Sequence, residues 1–171
     1  MTSARRGRGR RDNGLDAALW SPLTDVDPRV GEHLLDLLAA AGIAAYLEPA
    51  TDVAPYTRTV YLPSPPSDRL FVDRNRTGEA REVLETGAAK GEVASWLPLG
   101  NLYADEVGDL DAAEAAYRSG IAAGDDHSHH DLAGLLEERG DLDGAGFHYR
   151  LGAAGGDALA AAALRRLLGE D

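Results

Sequence analysis

The segment Gly108 to Asp125, GDLDAAEAAYRSGIAAGD, recurs as GDLDGAGFHYRLGAAGGD from Gly140 to Asp157, an offset of 32. Upstream, LGNLYADEVGD matches LAGLLEERGD after a one-residue deletion. A period of 32 to 33 built from two helical patterns and short Gly-Asp turns predicts a stacked helical solenoid. One such unit cannot bury its apolar faces alone, and roughly three stacked units are usual. A final helix over Asp157 to Leu168 closes the stack after two units. The first domain, or a second copy of the chain as a homodimer, is then expected to cover an exposed end.

The repeated positions have a packing logic. Small residues at Gly100/Ala133 and Ala113/Ala145 let helices approach closely, while Tyr117 and Tyr149 fill the gaps between turns. Trp96, Leu99, Gly100, Tyr103, Ala113 and Tyr117 carry the spacing of a tetratricopeptide repeat, which the first unit resembles. AYRSGIAAGD and HYRLGAAGGD look closer to the related Sel1-like variant. The second unit departs from the pattern, with His129 in place of Trp96 and Leu136 in place of Tyr103.

The chain before Gly91 has another character. Residues 20 to 75 hold seven of the eight prolines and most β-branched residues, so an α/β part precedes the all-α part. Residues 87 to 92, Gly-Ala-Ala-Lys-Gly-Glu, form the expected boundary, dividing 15–90 from 91–171. Asp27-Pro28 predicts a helix start, Val30, Leu34, Leu37, Leu38 and Ala41 its apolar stripe, and Gly42 its stop. Ile43 to Leu47, Thr57 to Leu62 and Leu70 to Asp73 read as strands, with an irregular one around Ala18 to Leu23. A helix with Thr77 as cap and Ala80, Val83 and Leu84 buried follows.

The run GEHLLDLLAAAGIAAYLEP followed by RLFVDRNRTGEAREVLE resembles a small family of prokaryotic signal-transducing domains, loosely related to the PII regulators. Gly42, Ile43, Ala45, Tyr46, Leu70, Val72, Ala80 and Leu84 carry the likeness, over residues 15 to 86. It implies a ferredoxin-like fold and brings no catalytic residue. The expected class is therefore α+β: a small ferredoxin-like α/β domain followed by a tetratricopeptide-like helical repeat.

Charge narrows the function. Arg5, Arg6, Arg8, Arg10 and Arg11 crowd an Arg/Gly-rich arm, residues 1–14, expected to be disordered. Removing those five charges from the net −12 leaves −17 on the remaining chain, which repels phosphate backbones and argues against extended nucleic-acid binding. No apolar run approaches the ~20 residues of a membrane span, and Asp12, Asn13 and Asp16 stand where an export signal needs an apolar segment. Cysteine is absent, which excludes thiol chemistry and fits a cytoplasmic protein.

Little in the sequence points to catalysis. No Gly-x-Ser-x-Gly elbow or phosphate loop occurs. His127, His129 and His130 with Asp125, Asp126 and Asp131 form the one cluster rich in metal ligands. Two of these histidines lie at i, i+3 rather than at the i, i+4 of zinc helices, and the acids suit helix starts. Neither a metal nor another cofactor is therefore expected. Asp109/Asp111 and Asp141/Asp143 recur at equivalent turns and read as caps.

Phasing the first helix of each unit on Leu99 and Leu132 assigns a groove to Leu97, Asn101, Ala104 and Asp105, with His127, His130, Gly134, Glu137 and Glu138 below. Asn101, Asp105, His127, His130, Glu137 and Glu138 make that surface acidic, so a basic peptide segment of another protein is the expected ligand. The leading reading is a non-catalytic, cytoplasmic interaction or signal-transduction adaptor. The alternative is a small-molecule sensor, with a nucleotide or metabolite held by Pro49 to Tyr56 and Pro63 to Ser67 near Arg58 and Arg69. A third class, an enzyme with a His-bound metal, ranks last.

Overall fold

A computed structural model of the chain describes residues 11–26, 28–50 and 68–170. They form two compact units, 11–50 with 68–83, and 84–170, in an α+β chain.

The first unit holds β1 (Arg11–Asp12), β2 (Trp20–Val26), α1 (Gly31–Ala40), β3 (Ala45–Pro49), β4 (Asp68–Asp73) and the start of α2 (Thr77–Ala89). Strand order is β1-β3-β4-β2, with every pairing antiparallel. β2 and β3, joined through α1, therefore run the same way with β4 between them, a split β–α–β arrangement. β4 alternates buried and half-buried residues, as a strand with one face on a core must. Leu47 and Leu70 pair across the sheet, and both are fully buried with Leu34 and Leu38 of α1. A register shift between Pro22 and Thr24 accommodates the proline in edge strand β2. The strand expected over Thr57 to Leu62 lies outside the described residues.

Three expectations need correction here. The first helix begins at Gly31 rather than beside Pro28, with Val30 as a cap that offers no side-chain bond. Its end is as expected: Gly42 takes φ 71°, and Ile43 N–H donates to Leu38 O. The Arg-rich arm does not extend to residue 14. Arg11 and Asp12 pair with Leu47 and Tyr46, Asn13 Nδ2 donates to Ile43 O at 2.8 Å, and Ala45 N–H donates to Asn13 Oδ1 at 3.1 Å. Arg11 also bridges Glu32 and Asp68. Polar anchoring does here what the missing apolar residues could not. Residues 1–10 lie outside the described set.

The third correction concerns the domain boundary. The second unit holds the end of α2, then α3 (Val93–Leu102), a π-helical turn (Tyr103–Val107), α4 (Leu110–Ala122), α5 (Ser128–Glu138), α6 (Leu142–Ala154) and α7 (Ala158–Leu168). The turn at 87–92 repeats those at 120–125 and 152–157. Glu92 N–H donates to Gly87 O, Asp125 N–H to Gly120 O and Asp157 N–H to Gly152 O, at 3.0, 2.9 and 3.0 Å. Gly91, Gly124 and Gly156 take φ of 83°, 94° and 94°, a region that only glycine enters cheaply. A Cβ on Gly87 would meet Ser95, one on Gly120 would meet Ser128, and one on Gly152 would meet Ala160. The expected boundary is thus a third helix-to-helix turn of the repeat, and the helical unit reaches back to Leu84.

From α3 onward each helix packs on the next, and α5 also touches α7. The core includes Ala113, Tyr117, Leu132, Ala133, Ala145, Tyr149, Ala160 and Ala163, with the two tyrosines filling space between small residues. Asp109 accepts from Ala112 N–H, Asp141 from Gly144 N–H, and Asp157 from the amides of Leu159 and Ala160. These are the helix caps the turn pattern predicts.

Candidate functional site

The first helices, α3 and α5, present polar side chains to the tyrosines of the second helices, α4 and α6. Tyr117 is buried against Gly100, where a Cβ would strike the phenol ring. Its hydroxyl donates to Asn101 Oδ1 at 2.8 Å. Burial raises its pKa well above the usual phenol value, and the carboxylates of Asp131 and Asp105 add to the rise. Tyr117 therefore stays a neutral donor.

Asp131 links this group to α5's imidazole. His130 Nδ1 stands 3.4 Å from Asp131 Oδ1, and the His130 ring lies 5.9 Å from that of Tyr149. Burial opposes protonation of His130, but the bond to Asp131 and the charges of Asp131 and Asp157 outweigh it and raise its pKa. Asn101, Asp105, Asp131 and His130 are thus gathered around Tyr117 and Tyr149. The sequence reading placed Asp131 only with the metal-ligand types. Its place beside Tyr117 shows in the charge it exerts on that phenol.

The other expected groove residues differ in their surroundings. Leu97 is core, 8% exposed. Glu137, with its side chain 8% exposed, accepts Tyr149 O–H at 3.0 Å. It also accepts Arg166 Nη2 on both oxygens, at 2.8 and 2.6 Å. Its carboxylate is thus taken up by internal partners. His127 turns toward Asp157, 3.9 Å away. Glu138 is exposed.

The histidine-rich segment does not converge on one point. Asp125 accepts from His127 N–H and Ser128 Oγ, which starts α5. His129, 8% exposed, turns inward to His148, with the two Nδ1 atoms 2.9 Å apart. Among the described residues no group of three or more His, Asp or Glu could hold a metal ion. Of the residues assigned to a sensor site, Arg58 and the 51–67 stretch lie outside the described residues. Arg69 binds Asp25 through Nε and Nη2, at 2.8 and 3.2 Å. No helix among the described residues is long and apolar enough to cross a membrane.

No protein-family model matches the chain, and no curated protein matches it.

Proposed function

We propose that this chain is a non-catalytic adaptor for protein interaction or signal transduction, which receives a basic peptide segment along the polar side of α3 and α5. The observation that carries the reading is the gathering of Asn101, Asp105 and Asp131 around the buried Tyr117 hydroxyl, with His130 bonded to Asp131 and set against the Tyr149 ring. Such an arrangement supplies acceptors and negative charge on a rigid helical frame, which suits Lys and Arg side chains of an extended segment. The short turns and small-residue contacts support a tetratricopeptide- or Sel1-like repeat. The split β–α–β arrangement supports a ferredoxin-like reading of the first unit, with α2 running on into the repeat where a further strand would stand.

The test is an array of Lys/Arg-rich peptides probed with the full chain, followed by titration of the best binder. Asp105→Asn with Asp131→Asn removes two charges and should weaken binding at least ~10-fold, or ~1.4 kcal/mol, with stronger binding at low salt. Unchanged affinity in the double variant, or no binder in the array, would overturn the proposal.

A further inference from the structure

We propose that His129 and His148 form a proton-sensitive latch between α5 and α6, closed while the pair holds at most one proton between its facing nitrogens and loosened when both imidazoles are charged. The geometry carries this. The Nδ1 atoms stand 2.9 Å apart, with ring centroids 5.1 Å apart and tilted by 32°. One nitrogen must donate and the other accept, so a neutral pair or a singly protonated pair keeps the bond. A second proton would set two N–H groups against each other at hydrogen-bond distance. His129 is buried while His148 is half-buried, its ring set edge-to-face with that of Phe147 at 5.2 Å, so water reaches the pair only from the His148 side.

The facing groups are largely committed elsewhere. Asp125 and Asp126 approach His129 from the turn before α5, while Glu114 and Arg118 of α4 and Asp141 at the start of α6 face His148. Asp125 is occupied by Ser128 Oγ and His127 N–H, and Asp141 by Gly144 N–H. Glu114 is shared by Arg118 and Arg139, at 2.8 and 2.7 Å. Asp126 is the remaining acid near the pair. Burial lowers both pKa values, and His129 and Arg118 lower that of His148 further, against the pull of the acids. Because the folded values are depressed, the unfolded chain takes up more protons below ~6.5. The latch's contribution is therefore complete above that pH and is lost as pH falls from there through the folded values. The inference does not depend on what the groove binds.

The experiment is hydrogen exchange of the full chain at pH 7.5 and 5.5, corrected for intrinsic rates, for the wild type and His148→Gln. Amides of α5 and α6 in the wild type should lose ~10-fold more protection on acidification than those of α3 and α4, a factor equal to ~1.4 kcal/mol. In His148→Gln the difference should vanish. Equal loss in all four helices, or the same selective loss in the variant, would overturn the latch. Histidine NMR titration of the wild type covers the case in which the variant does not fold. One imidazole of the pair should remain neutral at pH 5.5, and titration of both near 6.5 would contradict the proposal.

Discussion

Arg166 of α7 holds Glu137 of α5 through a single Nη2 that reaches both carboxylate oxygens, while Tyr149 donates its hydroxyl to the same group. A carboxylate drawn into such a pair and removed from water is costly to strand. Glu137→Ala leaves Tyr149 O–H and Arg166 without their acceptor and should cost about 2 kcal/mol, since Arg166 stays partly in water. The neighbouring Glu138 is exposed, and Glu138→Ala should stay within ~0.5 kcal/mol. Urea denaturation of the two variants checks the contrast. Equal stabilities would show that Glu137 is only a surface acid.

Two glycines of the repeat should respond with opposite signs. A Cβ on Gly120 would lie 2.6 Å from Ser128 Oγ and 3.1 Å from Trp96 Cβ. Gly120→Ala should therefore push α4 from α3 and α5, at about 1–3 kcal/mol. At Gly134, mid-helix, the nearest atom to a Cβ is Tyr149 Oη at 3.8 Å, an ordinary contact. Gly134→Ala should stabilise by up to ~1 kcal/mol through helix propensity. Thermal melts of both variants read the signs directly.

Asn13 ties the start of the described chain to β3 by a side-chain pair of bonds, to Ile43 O and from Ala45 N–H. Deleting residues 1–10 should leave the melting temperature unchanged within a degree or two. Asn13→Ala should cost ~1–2 kcal/mol, because two backbone groups of Ile43 and Ala45 lose their partners. A melt in which Asn13→Ala matches the wild type would show that these two side-chain bonds add nothing.

What could be read in advance depended on whether the deciding contact was local. Asp109, Asp141, Gly42 and the small-residue and tyrosine positions of the repeat act within one turn or one repeat period, and they stand where the pattern put them. The turn at 87–92 was legible only partly. Its Gly-x3-Gly-Glu spacing matches Gly120-x3-Gly124-Asp125, but the helix before it has Leu84 where the later units have tyrosine. For Glu137, helix phase puts a carboxylate near a face without saying what the next helix offers it. Arg166 decides that from 29 residues away. Asn13 is silent in the sequence for a similar reason: an amide matched to two backbone groups leaves no hydropathy signal.

The groove should also carry a pH signature opposite to that of the latch. His130 has a raised pKa because Asp131 outweighs its burial. Its contribution is therefore present below ~6.5 and lost as pH rises through the raised folded value. Asp131→Asn leaves burial dominant, so the His130 midpoint should fall below ~6.5 in an NMR titration. An unmoved midpoint would show that Asp131 does not govern this imidazole.

The most direct measurement of the central claim is a backbone amide chemical-shift map of the full chain, titrated with the tightest Lys/Arg-rich peptide from the array. The account predicts shifts concentrated at Asn101, Asp105, His130 and Asp131, with Glu138 at the margin and the sheet of the first unit silent. Shifts confined to β2, β3 and β4, or none at peptide concentrations that saturate the binding signal, would contradict it.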